Sequence, residues 1–188
     1  RSLITLFSDQ LNYVYGSMDD MQKRNLDYCT QNYLERILRL KTVFTSSYTQ
    51  MIMNQIQLTD KRMERAFLEE MVVLMQQILK GEYVNVRGEE RLQVSGERYV
   101  KINFASSGQQ EVVWILNVLF YYLLNQKKAY FIIEEPESHL FPDAQKKIAQ
   151  FISAAKKGGN KVLVTTHSPY ILGAVSYTHL TLPTKLEV

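Results

Sequence analysis

Two carboxylates stand side by side in Ala129-Tyr130-Phe131-Ile132-Ile133-Glu134-Glu135-Pro136-Glu137, directly behind an apolar run. The run predicts a strand buried on both faces of a sheet. Pro136 cannot continue a ladder, so the acids fall at the strand's carboxyl end, where open α/β sheets bind ligands. Adjacent buried carboxylates need a cationic or proton-bearing partner, and Mg²⁺ beside a phosphate chain fits. A plain strand end dipping acids into solvent is the competing reading. Two other stretches carry complementary chemistry. Ser106-Ser107-Gly108-Gln109 offers hydroxyls and backbone N–H groups at a predicted helix start, where the dipole favours an anion. The same turn also reads as an ordinary serine N-cap. His167 follows a second apolar run and either donates to a phosphate oxygen or satisfies a core carbonyl. Each piece alone is weak, and their order and spacing together raise the chemical reading.

The elements that must hold these groups follow from patterning. Lys161-Val162-Leu163-Val164-Thr165-Thr166 is a second buried strand ending at His167-Ser168-Pro169. Between the strands, Asp143 to Lys157 is amphipathic, with Ile148, Phe151 and Ile152 inward, and Gly158-Gly159 stops it. A helix between two such strands is a right-handed crossover, so the strands are predicted to be parallel. A strongly apolar helix from about Gln109 to Asn125 leads into the first strand. Upstream, Tyr83–Val86, Arg91–Val94 and Tyr99–Ile102 are predicted as an antiparallel meander, broken at Arg87-Gly88-Glu89 and Ser95-Gly96-Glu97.

Residues 1–80 read as a helical subdomain. Leu3 to Tyr15 has roughly helical spacing, and Tyr33, Leu34, Ile37, Leu38 and Leu40 form a stripe. Thr59-Asp60 is predicted to cap a helix through Lys80, with Met63, Phe67, Leu74, Met75 and Ile78 inward and Gly81 closing it. Residues 81–175 then form the α/β part. The tail, residues 176–188, has no clean period, contains Pro183, and is expected to be a non-native or disordered extension.

Composition narrows the classes. The 188 residues, 46% hydrophobic and 22% charged, describe a soluble globular chain with length for a real core. A net charge of +3 does not by itself argue for nucleic acid or membrane. One cysteine, Cys29, excludes an intrachain disulfide and fits a reducing cytoplasm. The run from Val112 to Leu124, interrupted by Asn117, is too short to span a bilayer. The first residue is Arg1, no signal peptide is visible, and the natural N-terminus is expected to lie upstream.

The three stretches together carry a resemblance. Ser106-Ser107-Gly108-Gln109-Gln110, Phe131-Ile132-Ile133-Glu134-Glu135-Pro136-Glu137-Ser138-His139-Leu140-Phe141-Pro142 and Val164-Thr165-Thr166-His167-Ser168-Pro169 look like the C-terminal half of an ABC-type AAA ATPase. The SMC-like ATPases of the overcoming-lysogeny-defect kind, common in prokaryotic defence and repair, are the closest group. The likeness covers roughly residues 1–175, its specific part 104–170. It implies part of a P-loop NTPase fold of ABC type, with ATP and Mg²⁺ as cofactors. Ser106, Ser107, Gly108 and Gln109 would be the signature that reaches the γ-phosphate held by an opposing subunit. Glu134 would take the Walker B position and hold the metal's water shell. Glu135 would orient and polarise the attacking water, and His167 would sense the γ-phosphate. His139 to Asp143 would match the D-loop at a dimer interface. This division of labour suits phosphoryl transfer, which needs positioning and charge neutralisation.

The departures set further expectations. Ser107 stands where most ABC signatures have glycine, and Glu134 where aspartate is usual. No Gly-x-x-x-x-Gly-Lys-Ser/Thr occurs in the chain and no glutamine loop can be placed. The polypeptide is therefore expected to be part of an ATPase whose nucleotide-gripping half lies elsewhere, inactive alone. The implied partner is a second copy, head to tail across ATP, with a nuclease effector or DNA as further candidates and no membrane. One alternative is the nucleotide-binding subunit of an ABC transporter, which fits the helical residues 1–80 poorly. Another is a non-catalytic DNA-binding or scaffold module using Arg36, Arg39, Lys41, Lys61, Arg62 and Arg65. Glu35, Glu64, Glu69 and Glu70 interleave with those bases, as on a solvated helix face.

Overall fold

A computed structural model of the chain describes residues 15–59, 62–157 and 159–180. The helix expected over Leu3–Tyr15 lies outside these residues apart from its last position. The helices α1 (Asp20–Arg24), α2 (Tyr28–Lys41), α3 (Tyr48–Thr59) and α4 (Arg62–Leu79) come first. Asp19 and Asp27 cap α1 and α2, accepting from the N–H groups of Gln22 and Thr30. The stripe on α2 turns inward as predicted, with Leu34, Ile37 and Leu40 buried and Tyr33 and Leu38 packed beside them. On α4 the deeply buried side chains are Leu68, Met71, Val72, Met75, Ile78 and Leu79, whereas Phe67 and Leu74 are only partly covered.

The end of α4 departs from expectation in its physical cause. Lys80, not Gly81, takes the left-handed backbone conformation, with φ 54°. Gly81 is needed for a different reason. A Cβ there would sit 2.8 Å from the carbonyl oxygen of Gln93, so the passing strand leaves no room for a side chain.

Strands β1 (Glu82–Val86), β2 (Glu89–Ser95) and β3 (Arg98–Lys101) form the antiparallel meander, in the order β1-β2-β3. Arg87 and Gly88 both have positive φ, the pairing a two-residue type I′ turn demands, and Gly96 supplies it at the next turn. A short 3₁₀ turn, Ile102–Phe104, leads into α5 (Ser107–Leu124). Strand β4 (Tyr130–Glu134), helix α6 (Pro142–Lys157) and strand β5 (Lys161–Thr165) form the crossover, with the strands parallel and Ile133 opposite Val164. The last helix, α7 (Pro169–Leu180), extends past Ser176 into the tail expected to break the pattern. Residues 181–188 lie outside the described residues.

One apolar core joins these pieces. Phe44, Tyr48, Tyr83, Trp114 and Phe120 meet edge to face at centroid distances of 5.2–6.1 Å. Asn117, the interruption in the apolar run, is fully buried on α5 and accepts the Tyr48 hydroxyl at 2.8 Å. Lys41 belongs to no basic face. It is buried, and its ammonium lies 2.7 Å from Glu90. Arg36 instead lies over the ring of Tyr122, 5.2 Å from its centroid.

The expectation that β4 and β5 are buried on both faces is overturned. Ile133 is buried and Phe131, Val162 and Val164 pack against the core, but Tyr130 and Ile132 are each 61% exposed and Leu163 48%. The alternation follows from layering: helices cover one face, and among the described residues nothing covers the other.

Candidate functional site

The parallel pairing of β4 and β5 puts their carboxyl ends together, and the ladder continues one step beyond Glu134. The Glu135 N–H donates to Thr165 O at 2.8 Å. Glu135 then adopts φ 44°, a left-handed conformation that costs a non-glycine residue about 1–2 kcal/mol. Its carbonyl accepts from the N–H and hydroxyl of Ser138 at 3.1 and 2.9 Å, closing a turn around buried Pro136. In this conformation the Glu135 carboxylate lies across the strand ends. Oε1 lies 3.4 Å from Nε2 of His167, whose side chain is 90% exposed. Glu134 is exposed one residue earlier.

The segment after β5 is held from below. Oε1 of Glu137 accepts from the Thr166 hydroxyl at 2.6 Å and from the N–H groups of His167 and Ser168 at 2.9 and 3.1 Å. Desolvation pushes this carboxyl up, but Thr166 and the backbone donors outweigh it, so its pKa lies below the ordinary glutamate value. The lowered pKa stabilises the fold above the usual glutamate range, a contribution lost as pH falls from that range through the lowered pKa. Ser168 caps α7, accepting from the N–H groups of Tyr170 and Ile171. Its hydroxyl donates to Gln145 at 2.5 Å, and Gln145 donates to Leu140 O at 2.8 Å. Glu137 and Gln145 therefore tie the two strand-end turns to each other.

The serine-glycine turn joins the same assembly. Ser106 caps α5, and Gln109 answers in a capping box, its Oε1 accepting the Ser106 N–H at 2.9 Å. The Gln109 amide also donates to Leu79 O at 2.6 Å, closing the end of α4, so both ends of this side chain work structurally in this conformation. Ser106 and Ser107 are exposed, and their turn lies at a helix N-terminus. Gly108 is buried against the turn after β4: a Cβ would sit 2.4 Å from His139 O and 3.0 Å from Leu140 Cδ2. His139 Nδ1 in turn lies 3.2 Å from Oε1 of Glu111 on α5. Gly108→Ala is therefore expected to displace the His139–Leu140 turn and destabilise the fold by about 1–3 kcal/mol. Urea unfolding measures it, and an unchanged midpoint would mean the two backbones are not in contact.

The geometry thus brings Glu135 and His167 together and runs Gly108 into the turn that starts at Glu135. Residue types alone do not single out Glu137, Gln145, Thr166 or Ser168. The one available signal is the third acid of Glu134-Glu135-Pro136-Glu137, two positions beyond the candidate base.

Residues 7–172 match a family model described as an AAA ATPase domain. The chain belongs to that family. No curated protein matches it. Membership of the AAA ATPase domain family brings nucleotide binding and ATPase activity with it in general, and with them the question of ATP and Mg²⁺. Among the described residues no three His, Cys, Asp or Glu side chains gather as a closed metal cage. Two exposed acids at one strand end instead suit Mg²⁺, which takes one or two carboxylates and keeps waters and phosphate oxygens. Also among the described residues, no helix is long and apolar enough to cross a membrane.

Proposed function

We propose that this chain is the C-terminal part of an ABC-type ATPase of the SMC-like, overcoming-lysogeny-defect kind. In this reading it switches conformation by ATP-dependent dimerisation and serves prokaryotic defence or DNA repair, with a nuclease effector or DNA as its further partner. The observation that carries the reading is the Glu135–His167 pair at the ends of neighbouring parallel strands, joined through one turn to Gly108. Glu134 would hold the water shell of Mg²⁺, and Glu135 would accept a proton from the attacking water. His167 would donate to the γ-phosphate, and Ser106, Ser107, Gly108 and Gln109 would face nucleotide held by a second copy. Bound Mg²⁺ would supply charge neutralisation on the transferring phosphoryl oxygens.

Two features support a missing nucleotide-gripping half. The sequence contains no P-loop, whose amides and lysine would cradle a β-phosphate. The outward face of β4 and β5 exposes Tyr130, Ile132 and Leu163 between Lys161 at one end and Glu134 and Thr165 at the other, and an apolar middle of this kind suits parallel strands that a further layer covers. A second copy would approach the signature turn, beside which Phe104 and Phe141 are 80% and 85% exposed.

Substituting Ser106→Arg in the intact ATPase tests the dimer. The guanidinium would fill the space where the opposing nucleotide must approach, so ATP-dependent dimerisation, followed by light scattering, is expected to be lost. Dimerisation by the variant with wild-type affinity would remove the signature from the interface.

A further inference from the structure

We propose that Glu137 is the positioning residue for His167, anchoring the backbone that aims the imidazole at Glu135. The proposal rests on the ATPase reading of the same site. With a side chain 90% exposed, His167 has little packing around it to fix its direction, so the direction comes from its backbone. One oxygen gathers most of that backbone's hydrogen bonds, the Ser168 N–H also reaching the Thr166 hydroxyl oxygen at 3.0 Å. Glu137 Oε1 collects the Thr166 hydroxyl and the consecutive N–H groups of His167 and Ser168, at 2.6, 2.9 and 3.1 Å. Hydrogen bonds to an ionised acceptor are shorter and stronger than neutral ones, and three on one atom fix the whole segment leaving β5.

Its place in the chain makes the anchor specific. Glu137 stands two residues beyond Glu135 across buried Pro136, whose ring fixes φ. The turn that carries the candidate base therefore also holds the candidate sensor, and the two cannot drift apart independently. A second observation argues that stability alone does not explain this carboxylate. Glu137 Oε2 is buried with no hydrogen-bond partner among the described residues. A half-satisfied buried carboxylate is costly to a fold, and each native example calls for a reason beyond packing.

The test compares Glu137→Ala with Glu137→Gln in the intact ATPase. Alanine removes the acceptor, whereas glutamine keeps a carbonyl oxygen in its place. Misplacing a reacting group by about 1 Å costs up to roughly 100-fold, so Glu137→Ala is expected to lower kcat about 10- to 100-fold. The KM for ATP should stay within about threefold, and glutamine should recover kcat to within about fivefold of wild type. Amide hydrogen exchange provides an arm independent of turnover. In Glu137→Ala the His167 and Ser168 amides are expected to exchange at least about tenfold faster, with Ile133 and Val164 unchanged.

Unchanged exchange at His167 and Ser168 overturns the proposal, as does a uniform rise across β4 and β5. Equal loss of kcat in both variants, or an effect confined to KM, overturns it too. A wild-type protein that hydrolyses no ATP overturns the ATPase reading and with it the kinetic half. The exchange measurement then decides the anchoring half alone.

Discussion

Replacing Glu135 with glutamine in the intact ATPase is expected to cut ATP turnover by about 10²–10⁴-fold, the range that a positioned general base contributes. Glutamine is the informative substitution because it preserves nearly everything else at the position. The backbone N–H still donates to Thr165 O, the Ser138 contacts still close the turn, and the left-handed φ carries the same strain. What is lost is the ability to take a proton, together with the negative charge that faces His167. Strain held at a residue that points toward an exposed histidine is the pattern expected where geometry is kept for chemistry. Because binding groups stay in place, the variant should also accumulate as an ATP-bound dimer. Phosphate release and particle size in the presence of ATP measure the two effects separately. Hydrolysis at the wild-type rate would remove Glu135 from the reaction, and loss of hydrolysis without the trapped dimer would remove the dimer from the cycle.

How far the residues alone lead depends on the range of the forces involved. The crossover β4-α6-β5 follows from patterning, because an apolar run, an amphipathic helix and a second run leave few topologies open. The meander follows for a similar reason, since Arg87-Gly88 and Gly96 announce their turns. Glu134 and Glu135 stand out because they follow an apolar run directly, and His167 because it comes just past the next one, after Thr165-Thr166. What holds them does not stand out. Glu137 meets Thr166–Ser168 from about thirty residues away, and Gln145 meets Ser168 across a helix, so neither pairing leaves a local trace. Gly108 reads as a helix-start glycine, yet its reason is the carbonyl of His139. The misjudged burial of β4 and β5 has a different origin. An apolar run reports how a strand is suited to pack, not which of its faces these residues cover.

Lys41 and Glu90 show the same limit at the largest stability effect expected in the chain. Read by spacing, Lys41 is one base among several on a mixed helix face. In the fold it is the last residue of α2, where the helix dipole favours a cation, and its side chain is 7% exposed. Glu90 on β2 is 3% exposed, with Oε2 2.7 Å from the Lys41 ammonium and Oε1 accepting the Tyr83 hydroxyl at 2.7 Å. The ammonium also lies 5.6 Å from the Trp114 ring centroid. Burial, then the charge of Glu90, push the Tyr83 hydroxyl far above its ordinary pKa, so it remains a neutral donor. Glu90→Ala strips Lys41 of this carboxylate and is expected to cost about 3–5 kcal/mol. At about 2–4 °C per kcal/mol for a chain of this size, the melting temperature should fall by roughly 10 °C. The combined Lys41→Met, Glu90→Leu, Tyr83→Phe variant removes the ammonium, the carboxylate and the hydroxyl together at similar volume. It is expected to lie within about 2 kcal/mol of wild type, because an ion pair's desolvation cost roughly cancels its attraction. Denaturant unfolding of all three proteins separates the accounts. If the single substitution costs under about 1 kcal/mol, the pair is open to water, and α2 does not close on the meander through it.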